Sequence, residues 1–389
     1  MLLGSDNLFK HHLDLIRHKR VGIVTNHSAV MSNGQHLVDA LTQLEDVRIG
    51  ALFGPEHGIR GRAPDRKGIR HEFDEATGIP VYSLFGKTVK PTSRMLKDID
   101  VLIFDIQDVG TRFYTYTTTL ALTMEAASEH GKTYIVLDRP NPISGSRVEG
   151  PILEPKLRTF VGWLPMPIVH GLTVGEIASM INGERWLRTG RRARLHVVRM
   201  TGWKRSMFYN QTSLRWINPS PSIRTLATAL VYPGTCLLEG TNVSEGRGTE
   251  HPFEYIGAPW INGERLATYL NALYLPGVAF RGIHFTPRST RTLTTDSKYE
   301  GERCNGIRVI VRNRSVFEPV PTGISLLTAL RHIYPKQFAM RAQRLDELVG
   351  TSSTRRAILK GMQADAIVNS WMDGLEAFEA IRKKYLLYR

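Results

Sequence analysis

The sequence predicts an α/β protein, with a parallel sheet flanked by helices over residues 1–216 and a smaller α+β domain over residues 217–389. Apolar runs without polar alternation recur through the first half, separated by helix-like stretches. That is the pattern of strands buried on both faces of a parallel sheet. At 389 residues the chain is longer than one ordinary core, so two domains are expected. Composition changes at Trp216-Ile217-Asn218-Pro219-Ser220-Pro221-Ser222, a Pro/Ser segment of the kind that separates domains.

Residues 21–25 read as the first buried strand, followed by a loop and a helix over 35–44. Residues 47–53 and 101–104 are further strands, the latter leading through Gln107-Asp108-Val109-Gly110 into a helix over about 116–129. A β-branched run makes 133–137 a strand, and Thr173-Val174-Gly175-Glu176 has capping-box spacing for a helix through about 181. Residues 195–200 complete the predicted sheet. Beyond the boundary, 264–273 is an amphipathic helix, 278–280 and 307–312 are short strands, and Thr322 reads as the N-cap of a helix to 333. The tail over 346–388 is helical in pattern.

The charge of +15 fits an anionic partner. Its densest cluster, Arg185, Arg188, Arg191, Arg192 and Arg194, reads as a solvated face and lacks the interleaved aromatics of a nucleic-acid platform, so no nucleic-acid partner is expected. Cys236 and Cys304 are too few for a disulfide framework and read as free thiols. No apolar run reaches the ~18 residues of a membrane span. The N-terminus lacks a signal-peptide pattern, so the chain reads as cytoplasmic as written, or as periplasmic or secreted with a leader removed.

Three strand ends carry acid and turn residues on what should be one rim: Gly54-Pro55-Glu56-His57-Gly58, Asp105-Ile106-Gln107-Asp108 and Asp138-Arg139-Pro140-Asn141-Pro142. Neither Gly-x-Gly-x-x-Gly nor a P-loop follows any strand, so no cofactor is expected. His27, His57, His170 and His251 show no metal-ligand spacing, so no metal is expected either. A metal-dependent hydrolase stays a rival that EDTA would expose.

Paired carboxylates fit glycoside hydrolysis, which needs one acid for the leaving oxygen and a second as base or nucleophile. Glu56 suits the general acid, with His57 to orient it or bind a hydroxyl. Candidates for the second are Asp105, Asp108, Glu149, Glu154, Glu239, Glu245 and Glu250. Glu149 lies in Val148-Glu149-Gly150-Pro151, in the loop leaving the strand over 133–137, and should reach the same rim. Thr111-Arg112-Phe113-Tyr114-Thr115-Tyr116 offers a guanidinium to fork onto a carboxylate and phenols to stack on a sugar, or else packs helix to sheet. The loop from Gly240 to His251 brings Asn242, Glu245 and Arg247 among glycines that let backbone approach a ligand, unless it is a plain surface loop.

At these same residues the sequence resembles the bacterial exo-β-N-acetylmuramidases of the NamZ type, once known only as a domain of unknown function. The resemblance is carried by Val-Gly-Ile-Val-Thr-Asn (21–26), Gly-Pro-Glu-His-Gly-Ile-Arg-Gly (54–61), Phe-Asp-Ile-Gln-Asp-Val-Gly-Thr-Arg-Phe-Tyr-Thr-Tyr (104–116), Leu-Asp-Arg-Pro-Asn-Pro (137–142), Glu-Gly-Thr-Asn-Val-Ser-Glu-Gly-Arg-Gly-Thr (239–249) and Phe-Thr-Pro (285–287). It implies a Rossmann-like catalytic domain with a smaller C-terminal domain closing the cleft. It implies release of N-acetylmuramic acid from the non-reducing end of peptidoglycan fragments such as MurNAc-GlcNAc. It maps the leading catalytic Glu to Glu56 and a second to Glu149. The expected sugar-holding set is Asn26, His57, Asp105, Arg112, Tyr114, Tyr116, Asn141, Asn242, Glu245 and Arg247, with Arg112 or Arg247 reading the lactyl carboxylate. The alternative is a non-catalytic protein that binds peptidoglycan fragments.

Overall fold

Strands form where the chain is apolar on both sides. In the computed structural model, which describes residues 1–56, 58–59, 72–289 and 297–389, these are β1 (Arg20–Thr25), β2 (Arg48–Gly54), β3 (Glu72–Phe73), β4 (Pro80–Ser83), β5 (Val101–Asp105), β6 (Thr133–Leu137) and β7 (Arg194–Val198). They make one sheet in the order β3-β4-β2-β1-β5-β6-β7. β3 pairs antiparallel with β4, and the other neighbours are parallel. Counted along the chain, the six parallel strands follow the doubly wound order of dinucleotide folds.

Alternate strand residues feed two cores. Val21, Ile23, Ile103 and Ile135 pack with Leu8, Leu37 and Leu41 on one face. Val24, Phe104 and Val136 pack on the other with the helices Tyr116–Glu129 and Val174–Gly183. This second core runs unbroken into an antiparallel sheet of β8 (Tyr255–Ala258), β9 (Val278–Phe285) and β10 (Cys304–Val311), in the order β8-β10-β9, through Ile256, Phe280 and Ile307. Both cysteines are free and buried. The arginines at 185, 188, 191, 192 and 194 are exposed. No described helix is long and apolar enough to cross a membrane.

Strand order reverses between β1 and β5, where a dinucleotide fold opens its crevice. Here that opening carries a lid of the chain's own backbone. The Asn26 amide donates to the Tyr116 hydroxyl at 2.9 Å, which donates to the Pro219 carbonyl at 2.8 Å. His27 Nε2 meets the Asn218 carbonyl at 2.7 Å. Access therefore shifts towards the carboxyl end of β2, where Pro55 and Glu56 follow.

Several boundaries differ from those the pattern predicts, three of them for evident reasons. The helix expected over 35–44 is only Leu37–Leu41, capped by the His36 ring. The helix expected from Thr322 begins at Pro319, with Glu318 at the N-cap, because proline's fixed φ suits the first turn. Thr322 instead donates its hydroxyl to the Glu318 carbonyl within that turn. The strand expected over 278–280 runs on to Phe285 as β9, paired along its length with β10.

Candidate active site

Glu56 stands two residues beyond β2, half-buried, with its Oε2 accepting a 3.1 Å bond from the Thr115 hydroxyl. Thr115 precedes the helix Tyr116–Glu129 but gives that helix no side-chain cap; its hydroxyl serves the carboxylate instead. Glu56 opens onto a cavity of about 600 Å³, large enough for sugar rings. Tyr114, Tyr116, Tyr232 and Phe253 form one continuous wall of edge-to-face rings, with centroids 4.8 Å apart from Tyr114 to Tyr116 and from Tyr232 to Phe253. Burial pushes the Tyr114 and Tyr232 phenols well above their usual 10.0, so both stay neutral. Phe85 and Phe160, with centroids 5.8 Å apart, add a second aromatic edge.

The cavity's other carboxylate among the described residues is Glu239. It sits in the 3-10 turn Cys236–Gly240 and is gripped from both sides, by Arg247 Nη2 at 2.9 Å and Arg344 Nη2 at 2.5 Å. Two guanidiniums on one carboxylate favour its charged form. Arg247 also donates to the Ser222 hydroxyl at 2.9 Å and lies over the Phe253 ring. Behind it, Glu245 bonds Lys298 at 2.8 Å.

The structure thus brings together Glu56, Tyr114, Tyr116 and Arg247 from the expected set, and it places the others elsewhere. Asn26 is fully buried beneath Tyr116 and accepts from the Ser28 backbone and hydroxyl. Asp105 holds the buried Arg139 through two bonds of 2.5 and 2.9 Å. Asn141 closes its own turn, donating to the Leu172 carbonyl and accepting from Ile143 N–H. Asn242 ties its loop to Gln337 and Ala339. Glu245 backs Arg247 from behind, with its nearest oxygen 3.6 Å from Arg247 Nε. His57 lies outside the described residues.

Arg112 is the largest departure. Its side chain is fully buried, and its guanidinium donates to the carbonyls of Pro151, Met166 and Leu348 at 3.0, 2.9 and 2.7 Å. Burial lowers its pKa to about 9, which leaves it charged at neutral pH. Leu348 is in the last turn of the helix Ala342–Val349, so Arg112 serves as that helix's C-terminal cation. Gly350 ends the helix at φ 91°, and a Cβ there would stand 2.7 Å from Arg112 Nη2.

Glu149 does not reach the cavity of Glu56. It is buried beside Arg147 and Phe317, and its Oε2 accepts the Val320 N–H at 3.0 Å, in the first turn of the helix Pro319–Ile333. Burial raises its carboxyl to about 8 from 4.5, a rise opposed by the Val320 bond and by Arg147. A carboxyl that binds its proton more tightly when folded stabilises the fold fully below the unfolded value of 4.5, and loses that stability as pH climbs towards 8. Glu149→Gln is therefore expected to melt close to the parent at pH 5 and above it at pH 8. Melting curves across that window check this, and a constant difference at both ends would contradict it.

Arg341 and Arg344 line the cavity without having been anticipated. Their signal was two arginines three positions apart at a helix start, far from every motif. Among the described residues no group of three His, Cys, Asp or Glu side chains is arranged to hold a metal ion.

Two family models match the chain: "Exo-beta-N-acetylmuramidase NamZ, N-terminal" over residues 21–227 and "Exo-beta-N-acetylmuramidase NamZ, C-terminal" over 230–388. The Bacillus subtilis (strain 168) protein "Peptidoglycan beta-N-acetylmuramidase NamZ" is 46% identical over 386 residues, spanning 99% of this chain and 91% of that protein. Two crystal structures of DUF1343 family proteins from Bacteroides fragilis NCTC 9343 are similar over 100% of this chain and 99% of theirs. One has a TM-score of 0.92 at 37% identity, the other 0.81 at 33%.

Proposed function

The chain belongs to the exo-β-N-acetylmuramidase NamZ family, and on that premise we propose that it is a glycosidase that frees N-acetylmuramic acid from the non-reducing end of peptidoglycan fragments such as MurNAc-GlcNAc. The observation that supports this best is one cavity of about 600 Å³ holding two carboxylates, Glu56 and Glu239, along an aromatic wall. Glu56 protonates the bridging oxygen while the Thr115 hydroxyl holds its Oε2. Glu239, fixed by Arg247 and Arg344, supplies negative charge to the oxocarbenium-like transition state. Tyr114, Tyr232 and Phe253 give the cavity an apolar aromatic wall against which a sugar can lie. Glu239 takes the second-carboxylate place that the sequence motifs assign to Glu149.

The division at 216/217 belongs to this reading, with Glu56 and the Tyr114–Tyr116 wall on one side of it and Glu239, Arg247 and Arg344 on the other. Incubating the protein with MurNAc-GlcNAc should release the two monosaccharides in equal amounts. Disaccharide bound but recovered whole would reduce the protein to a carbohydrate-binding one.

A further inference from the structure

Among the described residues three guanidiniums line the cavity: Arg247, Arg341 and Arg344. Arg247 and Arg344 share Glu239, and Glu245 beside Arg247 is itself bonded by Lys298. These pairings leave the cluster with surplus positive charge. Arg341 differs from its neighbours. Its side chain is exposed at the cavity, and no described acid pairs with it.

Its backbone, by contrast, is anchored. Arg341 N–H donates to the Gly240 carbonyl at 2.7 Å, next to Glu239, and its own carbonyl accepts from Leu345 N–H in the first turn of Ala342–Val349. That helix is gripped at its far end by Arg112. An anchored backbone carrying an open guanidinium beside a sugar-sized cavity is a receptor for a planar anion, because the fork matches a carboxylate with two parallel bonds.

Muramic acid differs from glucosamine by one group, a lactyl ether that ends in a carboxylate. Resting on the muramidase reading above, we propose that Arg341 receives this lactyl carboxylate and so determines the preference for N-acetylmuramic acid over N-acetylglucosamine. The two cations expected from sequence are both committed elsewhere: Arg112 to three carbonyls and Arg247 to Glu239 and Ser222.

The test is binding before turnover. Dissociation constants of free N-acetylmuramic acid, its methyl ester and N-acetylglucosamine are measured by calorimetry for the parent, Arg341→Gln and Arg341→Lys. A charge-assisted pair is worth about 1.5–3 kcal/mol, so Arg341→Gln should weaken the acid about 10- to 100-fold. The neutral ester and N-acetylglucosamine should shift by less than about twofold, and Arg341→Lys should recover part of the loss. Esterification should cost the parent the same factor and the Gln variant almost nothing, which is the coupling expected of a direct contact. Equal weakening of all three ligands, or none, overturns the proposal. Because binding is read without catalysis, an intact disaccharide with the parent would sink the hydrolase reading while leaving this one standing.

Discussion

Glu56→Gln is expected to lower kcat/KM on MurNAc-GlcNAc by roughly 10³-fold, inside the range a single general acid contributes. The amide keeps the shape of the side chain and can still accept the Thr115 hydroxyl bond, so the melting temperature should stay within a few degrees of the parent. What it lacks is a proton for the departing sugar oxygen. The loss should be much smaller on a 4-nitrophenyl muramic-acid glycoside, because nitrophenolate departs without protonation. That contrast separates a proton donor from a residue that only shapes the cavity. If both substrates lose equally, or if the disaccharide is still cut at more than a tenth of the parent rate, the proton comes from elsewhere.

Arg112→Met is expected to cost at least about 3 kcal/mol of stability, since it leaves three buried carbonyls unpaired at roughly 1–3 kcal/mol each. The carbonyls belong to Pro151, Met166 and Leu348, so one side chain ties two loops to the end of a distant helix. Methionine fills much of the same volume, which keeps the change from being mainly a cavity effect. Urea unfolding should show a lower midpoint at an unchanged slope. Muramic acid binding should weaken too, because the helix Ala342–Val349 carries Arg344 and is preceded by Arg341. A shift below about 1 kcal/mol would mean that water replaces the guanidinium without penalty.

Much of the fold was legible because its strands are buried on both faces. The runs over 101–104 and 134–137 have no charged or amide interruption, and they are inner strands of the sheet as β5 and β6. The capping box at Thr173 could be read from spacing alone, and both of its reciprocal bonds are present. Helix Leu226–Thr235 was hidden because Pro233 and Gly234 read as a break, yet packing against Pro319 and Gly323 holds the turn in place. Strand β8 is four residues with a glycine inside, too short for periodicity to register.

The site was legible only in part, for a different reason. Motifs mark residues the fold needs in place, and those include partners of backbone as well as partners of a ligand. Asn26, Asp105, Asn141 and Asn242 all satisfy buried or turn-forming groups of the chain itself. Arg112 looked like a rim cation because its neighbours are aromatic, and nothing local reveals that three carbonyls converge on it. Arg341 and Arg344 belong to no motif; only the packing of Ala342–Val349 on the turn Cys236–Gly240 brings them to Glu239. A carboxylate's place along the chain says little about the wall it will face, as Glu149 and Glu239 both show.

The bond from Arg112 to the Leu348 carbonyl spans 236 positions of chain. Synthesis proceeds from the N-terminal side, and domains fold as they emerge. The Pro151 and Met166 carbonyls that Arg112 holds emerge with the large sheet, whereas its third partner, Leu348, is made far later. That third bond, which ties the helix Ala342–Val349 to the sheet domain, is therefore among the last contacts the folding chain can make.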